Sequence, residues 1–242
     1  MKRREEGISY IFIVIALISL IIVFGSSATF AGMFDNIKSP LGGSKGDSKS
    51  VSSSVSRSDL DSLYTMVSDA DNLLQKSVRI TFKMLGNKDE LQKMELRRKE
   101  ADNIKDPKEK EAELYKIHQE EAASVQKSLD EKETSQKVQN LDAEQKALLA
   151  KAIYNTVLAG LRDKDAVEKA TQISQKIQSN PLASTSYAGD LPKLKDIVTK
   201  VPPQADKAIN LGNGLSKLAQ ANKIEVALPK SSSEKVKEVD IP

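Results

Sequence analysis

Between residues 60 and 85 the apolar side chains recur every three or four positions, and this spacing constrains the fold more than any other feature. Such a period places the apolar side chains on one face of an α-helix, whereas a half-buried strand would alternate apolar and polar residues. The stripe predicts a helix that starts at Ser58, a favourable N-cap, and ends at Gly86 and Asn87. Its apolar members are Leu60, Leu63, Val67, Ala70, Leu74, Val78, Phe82 and Leu85.

Two further helix starts follow at once. Asn87 and Glu90 have the spacing of a capping pair, which predicts a second helix directly after the first. Asp106 precedes Pro107, and proline is favoured at the first helical position because its missing N–H would have no partner there. We expect this third helix to run to about Lys137.

The most apolar stretch after the amino terminus begins behind a capping pair formed by Asp142 and Gln145. The stretch predicts a core helix, in which Leu149, Ile153 and Val157 are buried. Its apolar members are Leu148, Leu149, Ala152, Ile153, Val157, Leu158 and Leu161.

The remaining helices are predicted to be short, because possible breaks are frequent. Asp163 or Asp165 is expected to restart a helix, which Asn180-Pro181 stops. Asp190 is expected to cap a short helix. Pro202-Pro203 is expected to break that helix before a last one begins.

Composition favours an all-α fold. The 242 residues include no cysteine and no tryptophan, and only 4% are aromatic, so the core has to be aliphatic. Aliphatic cores suit helical bundles better than β-sandwiches. We predict a bundle of five to seven helices over residues 58–222, followed by a tail, residues 223–242, that is extended and then disordered after Pro229.

Residues 88–137 are predicted to form a highly charged helical hairpin, because about half of these residues are charged. Opposite charges four residues apart stabilise a helix, so the helices of this segment can form while they bury little apolar surface. One interpretation is a solvated hairpin with a narrow apolar seam. The other is a coiled-coil arm that binds a partner or a second copy, although Glu121 and Ser128 interrupt its heptads.

The amino terminus predicts export. Basic residues 2–4 precede an uncharged apolar run, residues 8–24, and then small residues, which is the order of a secretory signal. Residues 1–31 are therefore either a signal peptide, cleaved after Ala31 or Ala28, or a membrane anchor. The apolar run covers roughly 25 Å, against a hydrocarbon core of about 30 Å.

A pilin-type leader is a third interpretation, but Phe12 stands where pilins carry a glutamate. For both the signal peptide and the anchor, the basic residues stay in the cytoplasm and the body of the protein is outside. Residues 32–57 are rich in Ser, Gly and Lys, and we expect a flexible linker there.

Few residues suggest chemistry. His118 is the only histidine, so no histidine cluster can hold a metal, and its neighbours indicate a solvated helix face. Asp69 and Asp71 diverge by roughly 200° on a helix and cannot easily share a cation. Gly212-Asn213-Gly214 lacks the strand and lysine of a phosphate loop and favours close helix packing or a kink. We predict no catalytic, cofactor-binding or metal-binding residue.

The carboxy-terminal half resembles a group of exported helical proteins of Gram-negative bacteria that have no assigned activity. In those proteins a leader and a flexible segment precede several helices. The resemblance implies architecture and compartment only. It is carried by Leu191-Pro192-Lys193-Leu194, Val201-Pro202, Ala219 to Asn222, Ile224-Glu225-Val226 and Leu228-Pro229.

These features predict an exported, non-enzymatic helical protein of the bacterial envelope. We expect it to be periplasmic, or anchored in the inner membrane by residues 8–24, and to bind an envelope protein or itself. The alternative is a periplasmic bundle that binds lipid or a membrane surface through amphipathic helices. Nucleic acid is not an expected partner, because the net charge is only +3 and lysines alternate with acidic residues.

Overall fold

The computed structural model describes residues 55–129, 131–180 and 185–241. Within these ranges the chain forms six α-helices and no β-strand, which confirms the predicted all-α bundle. The helices are α1 (Arg57–Leu85), α2 (Lys88–Asp102), α3 (Pro107–Ser128), α4 (Lys132–Asn140), α5 (Ala143–Gln178) and α6 (Leu191–Ala221).

The predicted signal peptide or anchor, residues 1–31, and the predicted linker up to residue 54 lie outside the described residues. Among the helices that are described, none is both long enough and apolar enough to cross a bilayer.

Helix α5 is the centre of the fold and makes its most extensive contacts with α1 and α6. The end of α1, the start of α5 and the end of α6 share one apolar cluster, while the start of α1 meets the end of α5 and the start of α6 in another. Helix α5 is therefore antiparallel to both neighbours. Leu149, Ile153 and Val157 are buried, as predicted.

Local capping signals are good guides to where the helices begin. Three predicted N-caps are confirmed by side chains that accept a backbone hydrogen bond from the first turn: Asn87, Asp106 and Asp142. Helix α1 is capped by Ser56 rather than Ser58. Asp59 explains the shift, because its carboxylate accepts the N–H of Ser56 at 3.0 Å while its own N–H donates to Ser56 Oγ at 3.2 Å.

The predicted restart at Asp163 or Asp165 is wrong, because α5 is continuous over 36 residues. No proline interrupts this stretch, and Asp163 lies on the buried face, three residues after Gly160 and three before Ala166. The aspartate is therefore part of the helix interior rather than a cap.

The predicted break at Pro202-Pro203 is also wrong, because α6 continues through both prolines. A proline inside a helix removes one backbone hydrogen bond and costs about 3 kcal/mol. Val198, Val201 and Ala205 flank the prolines and are buried. Their packing against α5 holds the backbone helical where the isolated segment would break.

The third helix ends at Ser128, not at the predicted Lys137. The chain turns there, and the short helix α4 brings Thr134 and Val138 into the interior. Lys137 Nζ then lies 3.0 Å from the carbonyl oxygen of Leu85 and stabilises the end of α1.

A polar lock joins the start of α1 to the start of α6. Arg57 Nη1 donates to Asp190 Oδ2 at 2.6 Å, and the hydroxyl of Tyr64 donates to Asp190 Oδ1 at 3.1 Å. The hydroxyl of Tyr187 donates to the carbonyl oxygen of Val55 at 2.9 Å. Asp190 was predicted to cap α6, but its side chain makes no cap hydrogen bond and serves this lock instead.

The tail, residues 223–241, has no helix or strand, but it is not loose on the surface. Ile224 packs in the core cluster beside α6, and Val239 is buried against Ile80 and Ala152. We expected disorder after Pro229. The structure instead seats this part of the tail against α5, through contacts that are described below.

Candidate functional site: a groove that holds the tail

His118 lies inside the fold rather than on the predicted solvated face, with 3% of its surface exposed. Helix α3 packs on α1 and turns Ile117 and His118 inward together. Burial, and then the nearby positive charge of Arg98, lower the pKa of His118 to about 4. The ring is therefore neutral at pH 7 and shielded from any substrate in solution.

A largely buried salt bridge joins α2 to α3 near the His118 ring. Arg98 donates from Nη2 to Glu121 Oε2 at 2.6 Å and from Nε to Oε1 at 3.1 Å. Glu121 interrupts the heptads in the sequence and is only 2% exposed in the fold. A bidentate pair of this kind fixes how α2 lies on α3.

Asp69 and Asp71 diverge as predicted, and only Asp71 turns inward. Gln204 Nε2 of α6 lies 3.3 Å from Asp71 Oδ1 and 3.5 Å from Asp163 Oδ2 of α5. Asp163 is fully buried, and its Oδ1 has no hydrogen-bond partner among the described residues. Burial, followed by the charge of Asp71, raises the pKa of Asp163 to about 7.

The glycines of Gly212-Asn213-Gly214 serve close helix packing, which is the interpretation the sequence favoured. A Cβ atom at Gly212 would overlap Val157 Cγ2 of α5, and one at Gly214 would lie 2.7 Å from Leu129 Cδ1. The helix continues through both glycines. They are spacers between helices, and no ligand is needed to explain them.

A surface of polar and apolar side chains lies under residues 230–239 of the tail. We call it the tail groove. It is formed by Ile80 and Met84 of α1 and by Leu148, Ala152, Tyr154, Asn155, Arg162 and Asp165 of α5.

Asn155 and Arg162 hold the main chain of the tail rather than its side chains. Asn155 Nδ2 donates to the carbonyl oxygen of Lys237 at 2.7 Å, and the N–H of Lys237 donates to Asn155 Oδ1 at 2.9 Å. Arg162 donates to the carbonyl oxygens of Ser232 and Glu234, each at 3.2 Å. Four backbone groups of the tail are thereby satisfied by two side chains of α5, two of them in the turn at residues 231–234 and two at Lys237 in the segment that follows.

Glu234 is the anchor among the tail's side chains. The hydroxyl of Tyr154 donates to Glu234 Oε2 at 2.8 Å, and the N–H groups of Lys230 and Ser231 donate to Oε1 at 2.5 and 3.2 Å. These bonds, that from the Lys230 N–H above all, lower the pKa of Glu234. Lys237 Nζ lies 5.1 Å from the centre of the Tyr154 ring and adds a cation–π contact.

The tail runs antiparallel to α5. Residues 231–234 form a turn, in which the N–H of Glu234 donates to the carbonyl oxygen of Ser231 at 3.3 Å, and residues 235–241 that follow have no helix or turn. Ser232 Oγ donates to Asp165 Oδ2, Asn155 holds Lys237, and Val239 belongs to the apolar cluster of Ile80 and Ala152. The tail therefore follows α5 from Asp165 to Ala152, in the direction opposite to that of the helix.

A cavity of about 580 Å³ lies ahead of Val239 in the direction of the tail. It shares Met84 and Leu148 with the tail groove and extends towards the start of α5 and the first half of α2. Its lining residues are Lys83, Met84, Lys88, Leu91, Gln92, Glu95, Leu141, Glu144, Gln145 and Leu148.

The groove could not be predicted from the sequence because its residues are far apart along the chain. Tyr154 and Asn155 stand inside the most apolar stretch of α5, and a buried amide needs partners. That was the available signal, but the partners lie about 80 residues away in the tail. Among the described residues, no three His, Cys, Asp or Glu side chains are placed to hold a metal ion.

No family model, curated protein or solved structure matches this chain.

Proposed function

We propose that this chain is an exported, non-enzymatic protein of the bacterial envelope that acts by binding other polypeptides, and that the tail groove is the binding surface. One observation carries the proposal: Asn155 holds both the N–H and the C=O of Lys237. A side chain that reads the main chain in this way accepts extended segments of many sequences.

The chain's own tail already lies in the tail groove, which supports a function in binding extended segments. Asn155 is fully buried while the tail is docked. When the tail leaves, hydrogen-bond partners are lost by the amide of Asn155, the guanidinium of Arg162 and the hydroxyl of Tyr154. Only another extended segment can replace all of these partners at once. The tail is tethered and so has a high effective concentration, and a partner has to compete with it.

Two further observations favour protein contact over the alternatives. The burial of the only imidazole, His118, removes the most versatile acid–base group from solvent. The apolar stripes of α1 and α5 already pack against each other, so exposing them to a bilayer would cost the stability of the core.

The proposal is tested with the full-length protein and a labelled synthetic peptide of residues 229–242. Val239→Asp places a charge at the buried end of the tail and should release it, whereas Val236→Asp makes the same change at a valine that is 40% exposed and should not. Trypsin cleavage after Lys235 and Lys237 reports the release. Glu234→Ala is a second way to release the tail if Val239→Asp fails to fold.

With the tail released, the labelled peptide should bind in the micromolar range, which fluorescence anisotropy measures. The wild-type protein and Val236→Asp should bind it at least tenfold more weakly, because their own tails compete. Asn155→Ala added to Val239→Asp should abolish binding. A released tail without peptide binding would refute the groove as a site for partners.

A further inference from the structure

We infer that the partner of the tail groove is a polypeptide segment with an acidic residue, a basic residue three positions later and an aliphatic residue two positions after that, as Glu234, Lys237 and Val239 occur in the tail. This inference rests on the proposed function. It names the side chains by which the groove selects among the segments whose main chain Asn155 accepts.

The main-chain contacts fix the register in which a segment lies. Asn155 accepts the N–H of Lys237 and donates to its carbonyl oxygen. Successive side chains of an extended segment point to opposite sides, so a shift by one residue would turn each side chain away from its place. The register therefore sets which positions of a bound segment meet the groove and which face solvent.

One aromatic side chain of α5 contacts both charged residues. The hydroxyl of Tyr154 donates to Glu234 Oε2 at 2.8 Å, and the centre of its ring lies 5.1 Å from Lys237 Nζ. A phenol has a positive hydrogen at its hydroxyl and a negative face on its ring. Tyr154 is therefore complementary to an acid and a base that stand three residues apart in this order.

The aliphatic position is defined by an apolar cluster between α1 and α5. Val239 is 6% exposed and packs with Ile80 and Ala152. Met84 and Leu148 pack against the same cluster. A polar or charged side chain at this position would lose its hydration against these residues, so the cluster selects an aliphatic one.

The positions between these three residues face solvent. Lys235, Val236 and Glu238 are exposed. They repeat the three residue types that the groove contacts, one of each. The tail therefore contains its own matched control for every selected position.

The combination occurs once in the 242 residues. No other acidic residue is followed by Lys or Arg at the third position and by Val, Ile or Leu at the fifth. A segment of this kind that displaces the tail therefore belongs to another polypeptide chain.

The experiment uses the full-length Val239→Asp protein, with Glu234→Ala as the second form, and labelled peptides of residues 229–242. Glu234→Gln in the peptide should weaken binding about fivefold, because a neutral acceptor replaces a charged one. Lys237→Gln should weaken it about two- to fivefold, because the cation–π contact is lost. Val239→Ala should weaken it about tenfold, because two buried methyl groups are lost. Fluorescence anisotropy measures each affinity.

The control peptides make the same changes at the exposed neighbours. Glu238→Gln, Lys235→Gln and Val236→Ala should each bind within about twofold of the natural peptide. A further peptide exchanges Glu234 and Lys237 and so keeps the net charge. It should bind more weakly than either single variant, because it opposes both contacts of Tyr154.

Tyr154→Phe, added to the Val239→Asp protein, keeps the ring and removes the hydroxyl. The preference for glutamate over glutamine at position 234 should fall, whereas the preference for lysine at position 237 should remain. Part of the glutamate preference survives, because Glu234 also accepts the N–H groups of Lys230 and Ser231 within the tail. Circular dichroism confirms that the variant keeps its helices.

The outcomes separate the two proposals. If the natural peptide binds and the three variants at the selected positions match it within about twofold, or if Tyr154→Phe leaves the preference for Glu234 unchanged, this inference is refuted and the tail groove stands. If no peptide binds to a protein whose tail has been released, the proposed function fails and this inference fails with it.

Discussion

Replacing Asp163 by asparagine should make the protein more stable, by an amount that grows as the pH rises from about 4 to about 7. The carboxyl group is fully buried between α5, α1 and α6, and Gln204 is its one hydrogen-bond partner among the described residues. The charged group that faces it is Asp71 of α1, which raises the pKa of Asp163. The negative charge of Glu111 of α3 in turn contributes to a raised pKa of Asp71, after burial. From α6 it meets the neutral amide of Gln204, whose hydrogen bond only partly offsets the effect of burial and of Asp71 on the pKa of Asp163.

The magnitude follows from the two pKa values. The pKa of Asp163 is about 7 in the fold and 3.8 in a free side chain. Below pH 3.8 both states are protonated and the group has no effect. Between the two values only the folded state binds the proton, so the free energy of unfolding falls by about 1.4 kcal/mol per pH unit and by about 4 kcal/mol in total.

The assay is urea unfolding of the purified chain, followed by circular dichroism from about pH 5 to about pH 8. Other groups titrate in this range, including His118, so the useful quantity is the difference between Asp163→Asn and the wild type. This difference should increase by about 2.5 to 3 kcal/mol across the range, because part of the effect is already present at about pH 5. Asp69→Asn removes an exposed carboxylate from α1 and is the matched control for the loss of one acidic group.

Either of two results would refute the reasoning. If Asp163→Asn is less stable than the wild type at about pH 8, the carboxylate is charged and favourably held in the fold. If the difference does not change with pH, Asp163 has an ordinary pKa and its burial is less complete than the structure indicates.

Four further predictions concern the core, the packing of the helices, the membrane and export. Leu149→Ala should cost roughly 2–4 kcal/mol in denaturant unfolding, and a loss below about 0.5 kcal/mol would contradict its place in the core. Gly212→Ala should cost about 1–3 kcal/mol, because its Cβ overlaps Val157, and Val157→Ala in the same chain should recover part of the loss. The chain should not gain helix on adding anionic vesicles, as measured by circular dichroism, and stable co-flotation with neutral vesicles would instead support the lipid-binding alternative. Mass spectrometry of the exported protein should find a mature start at Gly32 or Thr29, and an intact amino terminus in the membrane fraction would support the anchor.

Features that depend on neighbouring residues could be predicted from the sequence. The caps at Asn87 and Asp142 are correct because a cap is formed by side chains three residues apart. The buried stripe that contains Leu149 is correct because helical periodicity is local. The all-α class follows from both signals.

Features that depend on distant contacts could not be predicted in this way. Pro202 breaks an isolated helix, but it stays helical here because α5 packs against its neighbours. Asp163 has the pattern of a helix start, and only the approach of Asp71 and Gln204 reveals an interior carboxyl group. The tail is polar enough to look disordered, and its order comes from Asn155 and Arg162, 70 residues or more away.

The lock between Arg57 and Asp190 has a mechanical consequence. A pulling force applied at Val55 meets Arg57, Tyr64 and Tyr187 together, because their bonds tie the first turns of α1 to the segment that begins α6. The two helices start at the same end of the bundle, so the force acts along both and against α5. Extraction then requires sliding α1 and α6 past α5 in shear, with several polar bonds broken at once, rather than peeling one turn after another from a frayed end.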